Sequence, residues 1–405
     1  MPHTAGVASQ GPARCVVFPR PVVHKLSREL RLELYSRTKV SRRRTLPGTR
    51  YVPETVTLNL AWISGGSVFL VSDTAATARG AARSPTTSIG QAQQRPDGYA
   101  VEESAAKVVP FGTHAAAALC GDASAGMTFA LSVLQRIERG VPLDEAMLLA
   151  GHSMHQQEPP YGRFVVTIAR WDCGPKIIRY DSQTLKLVDA SDMPMVIEGS
   201  LRAELKSRVR EKVRRLPGPP TDGQAVLAAA LAVLQGLGAS EDLVSDSVAG
   251  IFYGLRIDSE GLHWQPNILY VFYNNDGPAP DEPPMNLVGS RVLDGVLTVG
   301  SSLNQQVRCF VYPGNKVDAE AWMERWQGSL NARAALLDSR LIAFVRVTGG
   351  SVFLIKNDGE HFRHEYDAGQ LVLGTSPALE ARLRWKPTEE RPFSFGLGLG
   401  TPDAT

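Results

Sequence analysis

Thr57, Asp73, Lys107 and Gly121 are the residue types that acyl transfer through a threonine hydroxyl would need. A threonine hydroxyl is a weak nucleophile until a base takes its proton. A free α-amine, with a pKa near 8, can be that base if Thr57 begins the mature chain. The set therefore reads as a nucleophile kit for a hydrolase whose reactive group is an N-terminal threonine.

The elements around these residues would bring them together. From Thr57 to Asp73 the chain has two apolar runs broken by Ser64-Gly65-Gly66, the pattern of two short strands joined by a tight turn. Such a hairpin returns Asp73 to the neighbourhood of Thr57. Residues 74–104, rich in Ala, Ser, Thr, Gly, Gln and Arg with no sustained period, suggest a long mobile loop over the sheet. A second hairpin follows, Lys107 to Phe111 and His114 to Cys120. Gly121-Asp122 opens an amphipathic helix with Met127, Leu131, Leu134 and Ile137 as its expected buried stripe, and Pro142 starts a second helix that packs against it. Strand patterns return between Arg163 and Ser200. A charged helix from Leu201 and an Ala-Leu helix after Asp222 come next, then strands at Val248 to Ile257 and Leu262 to Gln265. Sheet stacked on sheet, with helix pairs outside, is the simplest way to bury these faces.

Composition bounds the remaining possibilities. With 405 residues, 43% apolar and 21% charged, the chain is long enough for one large domain and a smaller one. The net charge of +2 conceals an asymmetry, because residues 1–56 carry 11 Lys or Arg against 3 acidic residues. This basic leader, with Arg42-Arg43-Arg44, is read as a solvated or removable extension; an arm that binds nucleic acid or a membrane surface is the less favoured alternative. Cys15, Cys120, Cys173 and Cys309 form no C-x-x-C pair, which argues against a zinc ribbon or disulfide framework and fits a reducing, cytoplasmic setting. No apolar stretch is expected to reach the roughly 18 residues that cross a bilayer, Ala225 to Leu234 being too short. His152 with His155, and His361 with His364, lack nearby acidic or thiol ligands and are read as packing or surface histidines, so no metal or cofactor is called for.

The expected organisation is a leader over 1–56, a main domain over 57–275, a Pro-rich linker over 276–284, a small α+β appendage over 285–385 with a helix near Ala319 to Leu337, and a disordered tail over 386–405.

The ordered combination of Thr57, Asp73, Lys107 and Cys120-Gly121-Asp122-Ala123-Ser124-Ala125 resembles a proteasome β-subunit or the related bacterial ATP-dependent threonine protease, both N-terminal nucleophile (Ntn) hydrolases. The resemblance runs from Thr57 to about Gln265. It implies a four-layer αββα sandwich, a peptide or amide substrate, a homo-oligomer and an ATPase or regulatory partner. It also implies that Thr57 Oγ1 attacks, that Lys107 favours loss of the hydroxyl proton through its positive field, and that Asp73 keeps Lys107 charged and oriented. The Gly121 N–H would face the developing oxyanion, an interaction of about 3 kcal/mol. Ser200 stands where the family has a serine that supports the terminal amine, and Ser247 precedes Ala249-Gly250-Ile251, where the family has Ser-Gly-Gly. Val244 stands where the family has an aspartate, with Asp246 or Asp242 as substitutes. The competing reading is a proteasome-like scaffold without activity.

Thr57 follows Val56, a β-branched residue that crowds self-cleavage at that bond. A GTG codon reads as valine internally and as methionine at a start site, so Val56 is a candidate initiator whose removal would expose Thr57. Thr55 is the runner-up nucleophile, at the wrong spacing to Asp73.

Overall fold

The structure, a computed structural model, describes residues 14–17, 57–79, 84, 86–95, 98–156, 161–216, 222–273, 286–302, 307–318, 321–322, 324, 339–357, 359, 362–367 and 370–384. The Pro-rich linker, the tail from 386 and most of the helix expected near 319–337 lie outside the described residues.

The first hairpin joins β2 (Leu58–Ser64) to β3 (Ser67–Asp73). Gly65 and Gly66, with φ of 56° and 75°, supply the two left-handed residues of the turn and pair Ser64 with Ser67. That register sets Asn59 opposite Ser72, so Asp73 ends beside the start of β2. These strands lie in a five-stranded sheet of order β11-β2-β3-β12-β13, completed by β11 (Val196–Gly199), β12 (Phe252–Asp258) and β13 (Gly261–Trp264). A second five-stranded sheet, β10-β9-β8-β7-β6, contains β6 (Val108–Pro110), β7 (Ala115–Gly121), β8 (Phe164–Trp171), β9 (Pro175–Asp181) and β10 (Lys186–Asp189). The two sheets share one apolar core, in which Leu60, Leu70, Ala116 and Ala169 are fully buried.

Helices α1 (Ala123–Glu138) and α2 (Leu143–His155) cover the second sheet. Asp122 caps α1, its carboxylate accepting from the Ala125 N–H at 2.9 Å. The buried face of α1 is Ala125, Gly126, Phe129, Ala130 and Val133, with Phe129 stacked on Tyr180 of β9 at 4.8 Å. The expected stripe through Leu131 was therefore displaced: Leu131 is 40% exposed, and Met127, Leu134 and Ile137 only flank the core. Small residues and one aromatic let the helix sit closer to the sheet than a row of leucines would.

Three expectations are corrected. Residues 74–104 are not a structureless loop: β4 (Ala75–Arg79) pairs with β5 (Tyr99–Glu103), and the polar residues between them make buried hydrogen bonds. Nor is α4 (Gly223–Ser240) a short apolar run; its 18 residues have a mean hydropathy of 1.4, apolar enough to span a bilayer by composition. It is buried from Val226 to Gly238, packed against β3 and β12 on one side and on the other against β18 (Leu341–Arg346) and β19 (Val352–Lys356).

That packing overturns the expected four-layer αββα sandwich with a small appendage. The described chain is mostly sheet, 41% strand against 27% helix. Helix α3 (Ala203–Arg214) keeps an exposed face, but α4 is not outermost, because a six-stranded mixed sheet lies beyond it. Its order is β17-β16-β15-β14-β18-β19, with β14 (Ile268–Tyr273), β15 (Asn286–Leu293), β16 (Val296–Ser301) and β17 (Val307–Val311). Strand β14 precedes the Pro-rich segment yet pairs with β15 and, in parallel, with β18, so the later strands grow on an element of the earlier ones. A further three-stranded sheet combines β20 (Phe362–Asp367), β21 (Gln370–Thr375) and β1 (Arg14–Val17) from the leader, and α5 (Pro377–Arg384) follows.

The contact between α4 and the third sheet is close at Gly236, where an added Cβ would stand 2.6 Å from the Gly350 carbonyl oxygen and 2.7 Å from Val352 Cγ2. Replacing Gly236 by Val should lower unfolding free energy by about 1–3 kcal/mol through overpacking, read from urea denaturation. An unchanged midpoint would mean that α4 and the sheet do not meet there.

Candidate active site

Thr57 immediately precedes β2 and is 2% exposed; Asp73 closes β3 and is fully buried; Lys107 immediately precedes β6 and is 5% exposed. The hairpin register and the pairing of the two sheets bring the three side chains into contact. Lys107 Nζ donates to Thr57 Oγ1 at 2.7 Å and to Asp73 Oδ1 at 2.8 Å. The carboxylate of Asp73 is also held by main-chain donors. Oδ1 accepts from the Leu58 N–H at 3.0 Å, and Oδ2 accepts from the N–H groups of Ala75 at 3.3 Å and Ala249 at 3.4 Å. A buried ion pair is tolerated when its remaining hydrogen-bonding capacity is met, and here three backbone amides do so.

Thr57 is anchored through its main chain as well. Its carbonyl accepts from the Ser200 N–H at 3.1 Å. Gly199, at φ 123°, lets β11 come so close that a Cβ there would lie 1.6 Å from the Thr57 carbonyl oxygen. Ser200 Oγ donates to the Asp246 carbonyl, and Asp246 is followed by Ser247, which holds a left-handed conformation at φ 60°. Ser247 Oγ accepts from Arg95 Nη1 at 2.5 Å. The structure therefore brings Thr57, Asp73 and Lys107 into direct contact and sets Ser200 against the Thr57 main chain, while the described contact of the Ser247 hydroxyl is to Arg95. Val244 is buried among Ala75, Val101 and Ala249, an apolar role. Of its expected substitutes, Asp246 pairs with Arg202 at 3.0 Å and Asp242 accepts from Ser245, so both carboxylates are already engaged.

Gly121 ends β7, two residues past Leu119, whose N–H donates to the Lys107 carbonyl at 3.1 Å. Its φ is 100°, and a Cβ would meet Arg163 O at 2.5 Å and Phe164 Cα at 2.9 Å, so close passage of β8 alone demands glycine. Cys120 lies beside the ion pair. Burial pushes its thiol up to about 12, with the nearby charge of Lys107 opposing and those of Glu198 and Asp73 adding. A neutral thiol in that setting is an inert packing group rather than a nucleophile.

Residues that sequence reasoning missed are Glu103, Thr74, Gln91, Gln235 and Arg95. All but Arg95 bond to the segment 249–251 beneath Asp73. For Glu103, Thr74, Gln91 and Arg95 the signal was polar composition in a stretch that read as a loop, and for Gln235 a single polar residue inside an otherwise apolar helix. Asp258, Glu260 and His263, at the β12–β13 turn, bring three potential metal-ligand atoms within 4.8 Å of one another, but Arg256 already pairs with Asp258 at 3.3 Å. No protein-family model matches the chain, and no curated protein matches it.

Two measurements check this geometry. Lys107→Met should destabilise the fold by about 3–5 kcal/mol in denaturant titration, because it strands a buried carboxylate; a loss under 1 kcal/mol would mean that Asp73 is neutral or solvated. For Cys120, the unfolded thiol ionises near 9.0 and the folded one near 12, so folding keeps a proton that the unfolded chain releases. Stability from this thiol is complete below pH 9 and is lost as pH rises towards 12. Cys120→Ala should remove about 1.4 kcal/mol per pH unit from the alkaline slope of unfolding free energy between pH 9.5 and 11; an unchanged slope would refute the burial effect.

Proposed function

We propose that the protein is a threonine-type N-terminal nucleophile hydrolase that cleaves peptide or amide bonds through Thr57. The observation that carries this reading is Lys107 Nζ, buried and bonded at once to Thr57 Oγ1 and Asp73 Oδ1. An ammonium at 2.7 Å from a hydroxyl oxygen stabilises the alkoxide more than the alcohol, so it favours the transfer of the hydroxyl proton to a base. Asp73, locked by three amides, fixes the direction of that ammonium.

With Thr57 as the first residue, its α-amine takes the hydroxyl proton as Oγ1 bonds to the scissile carbonyl carbon. The carbonyl electron pair moves onto oxygen, towards the Gly121 N–H. On collapse the C–N bond breaks, and the leaving amine takes the proton from the Thr57 ammonium. The resulting ester on Oγ1 is cleaved by water, which the same amine deprotonates, releasing the acid and restoring the hydroxyl. Lys107 stays protonated throughout.

A second reading has its own support. Residues Arg14–Val17 of the leader pair with β21 over four positions, which favours a leader that stays with the fold. Thr57 would then be internal and the protein a scaffold without activity.

The two readings separate by treating full-length protein, and protein made to begin at Thr57, with a peptide epoxyketone that captures both the hydroxyl and the free amine of a terminal threonine. The truncated form should gain one adduct, mapped to Thr57, that is absent in Thr57→Ala and retained in Thr57→Ser. Full-length protein should gain none until its intact mass shows loss of residues 1–56. Folded, Thr57-terminal protein that never labels would support the scaffold.

A further inference from the structure

Glu103, the last residue of β5, has a fully buried carboxylate that none of the proposed chemical steps uses. It accepts five hydrogen bonds. Oε2 takes Ser88 N and Ser88 Oγ, each at 2.7 Å, and Arg308 Nη1 at 2.9 Å; Oε1 takes the Ile251 N–H at 3.1 Å and Thr74 Oγ1 at 3.4 Å. These donors come from three parts of the chain that are distant in sequence. Arg308 is on β17, at one edge of the six-stranded sheet. Ser88 is itself gripped by that sheet, its carbonyl accepting from Asn286 Nδ2 at 2.7 Å and Ser301 Oγ at 2.9 Å. Thr74 and Ile251 belong to the floor of the candidate site.

The floor has little freedom. Ala249 N–H bonds to Asp73 Oδ2, while Ile251 N–H, two residues on, bonds to both Glu103 Oε1 and Thr74 Oγ1. Between them Gly250, at φ 76°, leaves no room for a side chain: a Cβ would stand 2.5 Å from Thr74 Oγ1 and 2.7 Å from Glu103 Cγ. One three-residue segment therefore touches the carboxylates of Asp73 and Glu103 together, and moving one end moves the other. The counter-charge that makes buried Glu103 tolerable is Arg308.

We propose that Glu103 is a positioning residue through which the six-stranded sheet, by Arg308 and Ser88, sets the orientation of Asp73 and hence of Lys107. The sheet is then a working part of the site rather than an attachment to it. This rests on the Thr57 reading for its catalytic consequence, but the mechanical link stands on its own contacts.

The test compares Glu103→Gln, Arg308→Met and Arg308→Lys with Arg346→Met. Arg346 is a buried arginine of the same sheet whose Nη2 donates to the Leu383 carbonyl, remote from Asp73. In full-length protein, hydrogen exchange is followed at the Ala75 and Ala249 amides and normalised to the β8 amide of Val166. In Thr57-terminal protein, the epoxyketone rate is resolved into kinact and KI. Glu103→Gln and Arg308→Met should speed exchange at Ala75 and Ala249 at least tenfold and cut kinact by roughly ten- to a hundred-fold, with KI within twofold, as misorientation does. Arg308→Lys should fall between, and Arg346→Met should change neither. If Glu103→Gln does not fold, Arg308→Lys, which keeps the charge, carries the comparison. Folded variants with wild-type exchange at both amides overturn the proposal, as does an equal response in Arg346→Met. Altered exchange in a protein whose wild type never labels supports the link and sinks the Thr57 reading instead.

Discussion

The ion pair between Lys107 and Asp73 is the constraint from which the rest of this architecture follows. Two opposite charges, each with almost no exposure, are costly to take out of water, and their attraction offsets that cost only where geometry is good and spare hydrogen-bonding capacity is filled. Filling it consumes structure. The Leu58 amide reaches Asp73 because the Gly65-Gly66 turn sets the register of β2 and β3, and the Ala249 amide reaches it because Ser247 and Gly250 adopt left-handed backbone just before β12. Lys107 reaches it because the two five-stranded sheets share a core built of small residues such as Ala116, Ala118 and Ala169, which let them approach. A one-residue slip in the first hairpin would turn Asp73 to the opposite face and leave the lysine without its partner.

This explains which parts of the protein were legible in its sequence. Local signals survived: the glycine turn, the cap at Asp122, the proline that starts α2, and the spacing that returns Asp73 to Thr57. Long-range pairings did not. The run Ile268–Tyr273 is a short, wholly apolar strand, and nothing in it tells that its neighbour in parallel register lies some seventy residues away. A clue was nonetheless present in α4. It is apolar around its whole circumference, with thirteen consecutive buried residues from Val226 to Gly238. A helix in an outer layer shows a polar face; one without it must be covered on both sides. The third sheet is what covers it. Residues 74–104 misled for the converse reason, since Ser88, Gln91 and Glu103 read as solvent-facing although they are bonded inside.

The polar layer under the site and the apolar layer around α4 do different work. Apolar burial and the close approach at Gly236 hold α4 between the sheets. The contacts of Glu103, Gln91 and Gln235 with residues 250–251 specify position, because each fixes a direction as well as a distance. Buried polar groups are a weak source of net stability, and their placement around one three-residue segment fits a demand for orientation at Asp73.

The anchoring of Thr57 bears on how it would become a terminus. Its carbonyl is held by the Ser200 amide, its hydroxyl by Lys107, and the following amide by Asp73. None of these bonds involves the Thr57 nitrogen, so cleavage of the Val56–Thr57 bond, or initiation at Val56, leaves all three intact. A terminus created there inherits a site already assembled. The close approach of β11 at Gly199 acts in the same direction, because it fixes the peptide plane between Thr57 and Leu58 from the carbonyl side.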